Sequence, residues 1–210
     1  MQTIKHLSFD LDGTLVDSFP IMKVAWEASM SALNLNCNFT DYRKYVGLPF
    51  PRILELLNLS KYEKDLAEVY FSHTKKLSHE VVAYNGVNDV LMWAKEVNIT
   101  TSIITSKPRA NSECLCENLK IEVDMIVCGD DHQYGKPNPS VAQAILETFK
   151  LAPREMLYVG DMMVDFQFSL NVGMPFVFFD ANSANTVPKN LVNPVKSISC
   201  INELISYLSD

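Results

Sequence analysis

Short apolar runs recur along the chain, and helical patterns separate the later ones. The runs are rich in Ile, Val, Phe and Leu, and such nearly continuous apolar character is typical of strands buried on both faces. They span residues 4–9, 101–105, 124–128, 156–159 and 176–179. Residues 141–149 carry apolar side chains at helical spacing, and Asn138 with Pro139 favours a helix start just before them. Strands that alternate with helices predict βαβ units around a parallel sheet.

A helical block interrupts this alternation between residues 16 and 82, where no strand is predicted. The first stripe of apolar positions in it, preceded by Pro20, comprises Ile21, Val24, Ala25, Ala28, Ala32 and Leu35. The second comprises Tyr62, Leu66, Val69, His73 and Leu77. Thr40 is the predicted N-cap of a helix between them. The block is therefore interpreted as a second unit inserted into an α/β core.

Composition and charge narrow the range of possible functions. The chain has 210 residues, 48% hydrophobic and 20% charged, which are ordinary values for a globular protein. Its net charge of −7, from 18 basic and 25 acidic residues, disfavours a nucleic-acid polymer as partner, because such binding needs clustered basic residues. The first residues lack a signal-peptide pattern, and the most apolar stretch, residues 174–179, is too short to span a membrane. We therefore expect a cytoplasmic protein without membrane attachment.

Two carboxylates follow the first apolar run directly. Asp10 and Asp12 point to the same side if the chain is extended there, and crowding two negative charges is costly unless a cation or a proton separates them. Ligands of open α/β sheets bind at the carboxyl ends of the strands, where this pair falls. The alternative interpretation is a surface turn, since Asp-x-Asp-Gly also favours turns.

Three further segments place polar side chains at the same kind of position. Thr105 and Ser106 follow the second run, where hydroxyls bind phosphate oxygens or simply cap a helix. Lys136 precedes a proline-initiated helix, either as an anion ligand or as a solvated loop lysine. Asp161 and Asp165 follow the fourth run, either on one side of a helix or as an N-cap and a surface acid.

The carboxyl ends of parallel strands share one edge of the sheet, so these segments are expected to converge on one site. The site would contain carboxylates, a hydroxyl and a lysine. Oxygen ligands of this kind favour Mg²⁺ over zinc. A metal ion, a lysine and a hydroxyl together suit a phosphoryl group.

On these residues the chain resembles the haloacid dehalogenase superfamily. The similarity spans essentially the whole chain, and four signature motifs match in order and spacing: Asp10-Leu-Asp12-Gly-Thr, Thr105, Lys136 and Gly160-Asp161-x-x-x-Asp165. The resemblance implies an α/β fold with a Rossmann-like parallel sheet core, residues 1–15 and 83–210. It also implies an inserted α-helical cap of the first type, residues 16–82.

Residues 9–18 and 105–108 are most similar to the phosphoglycolate phosphatase branch, which often has an asparagine where this chain has Ser106. The resemblance implies a Mg²⁺-dependent phosphatase acting on a small phosphorylated metabolite. The dehalogenase branch lacks an acid two residues after its nucleophile, so Asp12 favours phosphate transfer to water.

The resemblance also assigns roles to the acidic residues. Asp10 would be the nucleophile that forms an aspartyl-phosphate, and Asp12 the general acid and base. The Mg²⁺ ligands would be Asp10, Asp12 through its backbone carbonyl, and Asp161.

The remaining candidates bind substrate or orient other groups. Thr105, Ser106 and Lys136 would bind the phosphate, and Asp165 would orient Lys136 or a metal-bound water. Arg52, in the turn of the cap, is a candidate for a carboxylate or second anion of the substrate, against the alternative of a solvated arginine on a first helical turn.

Two other functions remain open from the sequence. A phosphomutase similar to β-phosphoglucomutase would share the nucleophile and the acid but return the phosphate to a sugar. A signalling receiver domain is a distant, non-enzymatic alternative with a phosphorylated aspartate. Receivers are shorter, lack a helical insert and carry the acceptor after a middle strand.

Overall fold

A computed structural model describes residues 4–181 and 196–209 of the chain. Residues 1–3, 182–195 and 210, which belong to the predicted core region, lie outside the described residues. The strands are β1 (His6–Phe9), β2 (Val16–Asp17), β3 (Val82–Ala83), β4 (Thr100–Ile104), β5 (Met125–Val127), β6 (Met156–Gly160), β7 (Phe176–Phe179) and β8 (Lys196–Ile198).

Six of the strands in the described ranges form a parallel sheet in the order β5-β4-β1-β6-β7-β8. The strand nearest the N-terminus, β1, lies in the interior between β4 and β6, and all four of its residues are buried. This position accounts for the burial of Leu7 and Phe9 and of the polar His6 and Ser8 alike, since neighbouring layers cover both faces. The predicted α/β fold with a parallel sheet is confirmed.

Nine α-helices lie between or after these strands in the described part of the chain. They are α1 (Phe19–Ala32), α2 (Phe39–Arg43), α3 (Phe50–Leu56), α4 (Glu63–Lys76), α5 (Val87–Glu96), α6 (Arg109–Leu119), α7 (Gln143–Thr148), α8 (Met163–Val172) and α9 (Glu203–Ser209). A 3₁₀ turn at Pro139–Ala142 leads into α7, and the Asn138 side chain caps it by accepting from the Ser140 N–H (3.0 Å), as the sequence predicts. Within the described ranges, no helix is both long and apolar enough to cross a membrane.

The apolar stripe predicted for α1 is partly wrong. Val24 and Ala32 were expected to face inward, but both are exposed. The helix instead buries Met22, Trp26 and Met30. These larger side chains remove more apolar surface from water than an alanine-rich stripe does, so they determine which side of the helix packs inward.

Two short strands occupy the ends of the helical block, where none was predicted. Val16–Asp17 pairs antiparallel with Val82–Ala83. A strand of two residues is too short to show an alternating pattern, so periodicity gives no signal for it. The predicted N-cap at Thr40 is also wrong, because α2 begins at Phe39 after Asn38.

A buried aromatic cluster holds α1 to α4 together. Trp26 stacks on Tyr42 with 4.2 Å between ring centroids, and Phe50 stacks on Tyr70 at 5.4 Å. Offset aromatic pairs at these separations stabilise packing beyond the area that they bury. The apolar residues of the sheet form buried clusters apart from it. The boundaries of core and cap at residues 15/16 and 82/83 stay a prediction.

His6 is a buried polar residue inside the central strand. Its Nδ1 lies 2.7 Å from Thr100 Oγ1, and its Nε2 lies 2.8 Å from Ser102 Oγ. Burial lowers the pKa of His6 to about 4, although the charge of Asp124 opposes this effect. A neutral imidazole satisfied by two hydroxyls is therefore part of the folded sheet.

This environment predicts a specific pH dependence of stability. The unfolded chain binds a proton at His6 below pH 6.5 and the folded chain only near pH 4, so stability is lost as the pH falls through this interval. From these values, His6 lowers the free energy of unfolding by about 2 kcal/mol between pH 7 and pH 5. Urea titrations at pH 7 and pH 5 measure how much unfolding free energy is lost between the two. In His6→Gln this loss should be smaller by that amount, whereas His79→Gln, an exposed control, should lose as much as the unchanged protein. An unchanged loss of unfolding free energy in His6→Gln would contradict the assignment of this pH dependence to His6.

Candidate active site

The carboxyl ends of β4, β1 and β6 lie side by side, and a polar residue follows each of them. Thr105 follows β4, Asp10 follows β1 and Asp161 follows β6, and all three are buried. The Asp10 N–H donates to Val159 O and the Thr105 N–H to Val127 O, both at 2.9 Å. The sheet hydrogen bonds thus continue into the site and fix the position of these residues.

Lys136 lies among the acidic residues of this edge. Its ammonium donates to Asp10 Oδ1 (2.6 Å), Asp165 Oδ1 (2.7 Å) and the Tyr158 hydroxyl (3.1 Å). Burial alone lowers the pKa of Lys136, but the charges of Asp10 and Asp165 outweigh it and raise the pKa well above its usual value. The ammonium therefore remains charged and joins residues from a loop, a strand end and a helix.

Asp12 lies in a different environment from Asp10, although the two are only two residues apart. Lys107 Nζ lies 3.0 Å from Asp12 Oδ2, and both side chains are buried. Ser18, the residue before α1, donates its hydroxyl proton to the other oxygen, Oδ1, at 2.5 Å. Each oxygen of Asp12 thus has its own donor, and Asp10 shares neither.

Sequence reasoning missed three residues that contact the acids. Lys107 follows the predicted Thr105 by two residues, and its charge beside a strand end was the available signal. Ser18 stands just before a helix, where a serine is ordinary as a cap. Tyr158 lies in an apolar strand, where a tyrosine gives no signal of function.

Three carboxylates form a group that can hold a metal ion. One oxygen each from Asp10, Asp161 and Asp165 lies within 4.8 Å of the others, and all three residues are buried. Burial, helped by the charges of Asp165 and Asp12 and opposed by that of Lys136, raises the pKa of Asp10 to about 7. Burial, followed by the charges of Asp165 and Asp10, also raises the pKa of Asp161. A divalent cation bound by oxygen ligands, such as Mg²⁺, fits this donor set and would offset the excess negative charge.

Gly13 lets the acidic group pack this closely. A Cβ at Gly13 would lie 2.3 Å from Asp161 Oδ2, and the backbone there has φ +90°. Both conditions exclude other residue types without a local shift. The neighbouring Thr14 donates its hydroxyl proton to Asp161 Oδ1 at 3.1 Å.

The turn after α2 covers the site. The Ser106 hydroxyl donates to the Gly47 carbonyl at 2.6 Å, and a Cβ at Gly47 would lie 2.6 Å from Val164 Cγ1. Beneath the turn is a cavity of about 40 Å³ lined by Asp10, Asp12 and side chains of the helical block. Thr105, Ser106 and Lys107 line its core side.

Arg52 lies away from both the acidic group and this cavity in the described structure. Its side chain is half exposed and pairs with Glu55 one turn further along α3. It lines a separate outer groove, which also includes Tyr134 and Pro137. The groove also includes Lys136, and the assignment of Arg52 to a substrate anion stays a prediction.

The chain is similar to several known proteins. It is 28% identical over 213 residues to a phosphoglycolate phosphatase from Pseudomonas savastanoi pv. phaseolicola, covering 96% of this chain and 78% of that one. It is 26% identical over 161 residues to pyrophosphatase PpaX from Oceanobacillus iheyensis, covering 76% and 75%. The crystal structure of a hydrolase from Pseudomonas syringae has the same fold, with a TM-score of 0.85 at 22% identity over 99% and 98% of the two chains.

The family of the chain follows from its sequence as a whole. The sequence model of the haloacid dehalogenase-like hydrolases matches residues 7–179, which include every acid of the site and Lys136. The resemblance to this superfamily and to phosphoglycolate phosphatases is thus confirmed, as is the expectation of an enzyme. The chain belongs to the haloacid dehalogenase-like hydrolase family.

Proposed function

We propose that the chain is a Mg²⁺-dependent phosphatase that hydrolyses a small phosphomonoester through an aspartyl-phosphate on Asp10. The observation that carries this proposal is the separation of two buried carboxylates into different environments. Asp10 contacts Lys136 within the acidic group, whereas Asp12 contacts Lys107 and Ser18. Two carboxylates with separate partners at one site suit a nucleophile and an acid–base group.

In the first step an oxygen of Asp10 attacks phosphorus. The bond between phosphorus and the ester oxygen breaks, and the leaving oxygen takes a proton from Asp12. The products are the free alcohol and an aspartyl-phosphate. Ser18 and Lys107 hold the Asp12 carboxyl in place during this transfer.

In the second step water attacks the phosphorus of the aspartyl-phosphate. Asp12, now ionised, takes a proton from the water, and the bond between phosphorus and the Asp10 oxygen breaks. Inorganic phosphate leaves, and both carboxyl groups return to their starting states. Splitting one displacement into two in this way lowers the barrier of each.

Other residues of the site stabilise the phosphoryl group. Lys136 and the Thr105 hydroxyl are donors for its oxygens, and a single preorganised donor contributes roughly 10²–10³ in rate. Asp165 accepts a hydrogen bond from Lys136 (2.7 Å) and so orients it. Asp10 and Asp161, with the Asp12 carbonyl, would hold Mg²⁺. When bound, the ion offsets the repulsion between Asp10 and a phosphate dianion.

The relatives support a small phosphorylated substrate, since those reported above are named for phosphoglycolate and for pyrophosphate. A cytoplasmic location is part of the proposal and is supported by five free cysteines, which suit a reducing compartment.

The phosphomutase alternative differs in the fate of the phosphate. A mutase would transfer it from Asp10 to a second hydroxyl of a sugar and would need a sugar bisphosphate. Release of inorganic phosphate without that requirement excludes the mutase.

The nucleophile assignment predicts that Asp10→Asn abolishes turnover. Phosphate release from phosphoglycolate, sugar phosphates and nucleoside monophosphates should depend on Mg²⁺ and fall at least about 10³-fold in this variant. Asp89→Asn, an exposed change on α5, should retain full activity. Retained turnover in a folded Asp10→Asn would refute the assignment.

The acid–base assignment predicts that the aspartyl-phosphate on Asp10 accumulates in the Asp12→Asn variant. p-Nitrophenolate leaves without a proton, so the first step survives, whereas hydrolysis of the aspartyl-phosphate loses its base and slows by about 10²–10⁴-fold. Stopped-flow mixing with p-nitrophenyl phosphate should give a burst of one nitrophenolate per enzyme. The Asp10→Asn variant should give none, and equal slowing of both steps would contradict the assignment.

The metal assignment predicts stabilisation by Mg²⁺ in the absence of substrate. At one hundred times its dissociation constant, Mg²⁺ adds about 2.7 kcal/mol of stability, which raises the Tm of a chain of this size by about 5–10 °C. Asp161→Asn should abolish this rise without lowering the Tm of the metal-free protein, because it removes a negative charge from the acidic group. A full rise in Asp161→Asn would contradict the site, and Asp89→Asn is the matched control.

A further inference from the structure

The wall of the cavity that faces the nucleophile comes from the helical block and is largely apolar. It includes Tyr42, Phe50, Tyr70 and Phe71, together with aliphatic side chains. Since Asp10 and Asp12 occupy the opposite side, the leaving group of a bound phosphomonoester lies against this wall. The cavity is small, about 40 Å³, and so favours a short leaving group.

The Tyr70 hydroxyl is a buried polar atom on this wall and lies near the Tyr42 hydroxyl. Tyr70 is 2% exposed, and its hydroxyl has no hydrogen bond of good geometry within the described residues. Its ring is fixed by Phe50, stacked at 5.4 Å, and by Trp26, edge-on at 6.1 Å. A buried hydroxyl without a partner is costly. A bound molecule with a polar group at this place would supply the missing hydrogen bond.

The hydroxyl remains protonated at every working pH. Burial raises the pKa of Tyr70 well above its usual value, and the nearby Tyr42 hydroxyl adds to this effect. Tyr70 therefore offers one donor and one acceptor, and no charge.

Lys107, which lines the cavity, and Lys136 of the acidic group are already paired. Lys107 contacts Asp12 at 3.0 Å, and Lys136 contacts Asp10 and Asp165. Among the described residues that line the cavity, the helical block contributes no lysine, arginine or histidine. A leaving group with a carboxylate or second phosphate would thus bury a negative charge without a partner, which is strongly unfavourable.

We propose that this wall is a subsite for a short, uncharged leaving group that carries one hydroxyl or carbonyl, and that Tyr70 is the residue that recognises it. The substrate class is then the phosphomonoester of a small neutral alcohol with a second polar group. This inference rests on the proposed phosphatase function and narrows its substrate, since it disfavours the anionic leaving group of phosphoglycolate.

The test compares three phosphomonoesters of similar size. 2-Hydroxyethyl phosphate has the neutral hydroxyl, propyl phosphate replaces it with a methyl group, and phosphoglycolate replaces it with a carboxylate. We expect kcat/KM to be highest for 2-hydroxyethyl phosphate, about ten-fold lower for propyl phosphate and about 100-fold lower for phosphoglycolate. p-Nitrophenyl phosphate, whose leaving group needs no recognition, reports separately whether the enzyme is a phosphatase.

Tyr70→Phe isolates the hydroxyl. It should reduce kcat/KM for 2-hydroxyethyl phosphate about ten-fold, leave propyl phosphate unchanged and keep or raise the Tm, because it removes a buried unpartnered polar atom. Tyr62→Phe, a tyrosine of the same block that does not line the cavity, is the control and should change none of these values.

The outcomes separate the two proposals. A preference for phosphoglycolate, or an equal loss for propyl phosphate in Tyr70→Phe, overturns the subsite while activity on p-nitrophenyl phosphate upholds the phosphatase. Absence of hydrolysis of all four esters by the folded, Mg²⁺-loaded protein overturns both.

Discussion

The site depends on one buried ammonium among carboxylates. Asp10, Asp161 and Asp165 offer oxygens within 4.8 Å of one another under a closed surface, and their mutual repulsion would oppose folding without a compensating charge. Lys136 supplies that charge through bonds of 2.6 Å and 2.7 Å to two of them. It also ties the loop after β5 to the end of β1 and to α8. One positive charge cannot balance three negative ones, and this excess is the physical reason why the group suits a divalent cation.

Five of the six strands of the sheet were predictable because their runs are rich in Ile, Val, Leu or Phe, and polar residues follow three of them, β1, β4 and β6. Parallel topology then brings those ends together, so Asp10, Thr105 and Asp161 converge without any knowledge of tertiary contacts. The pairing of Val16–Asp17 with Val82–Ala83 was not predictable, since two residues carry no period. For α1, the predicted stripe was partly wrong because the buried side of the helix depends on the stacking of Trp26 on Tyr42 across the block, which periodicity does not show.

The limits of prediction within the site have the same origin. Lys107, Ser18 and Tyr158 are ordinary residue types at ordinary positions, and only the packing of separate elements brings them to the acids. Arg52 is the converse case: its charge suits an anion, but α3 turns it outward, where it pairs with Glu55. Residue type and spacing therefore locate the proposed reacting groups on the sheet edge, whereas the wall that is proposed to select a substrate depends on how the helical block packs.

These two parts of the site meet at the Gly47 turn. The Ser106 hydroxyl bonds to the Gly47 carbonyl, and Ser106 directly follows Thr105, a proposed phosphate ligand. The bond therefore joins the turn of the helical block to the carboxyl end of β4. In this arrangement the apolar wall of Tyr42 and Tyr70 lies across the cavity from Asp10 and Asp12, and the same turn contacts the segment that carries Thr105. An apolar wall that excludes water strengthens the electrostatic interactions beside it, so in the proposed mechanism the packing of the helical block bears on both the leaving group and the charges of the acidic residues.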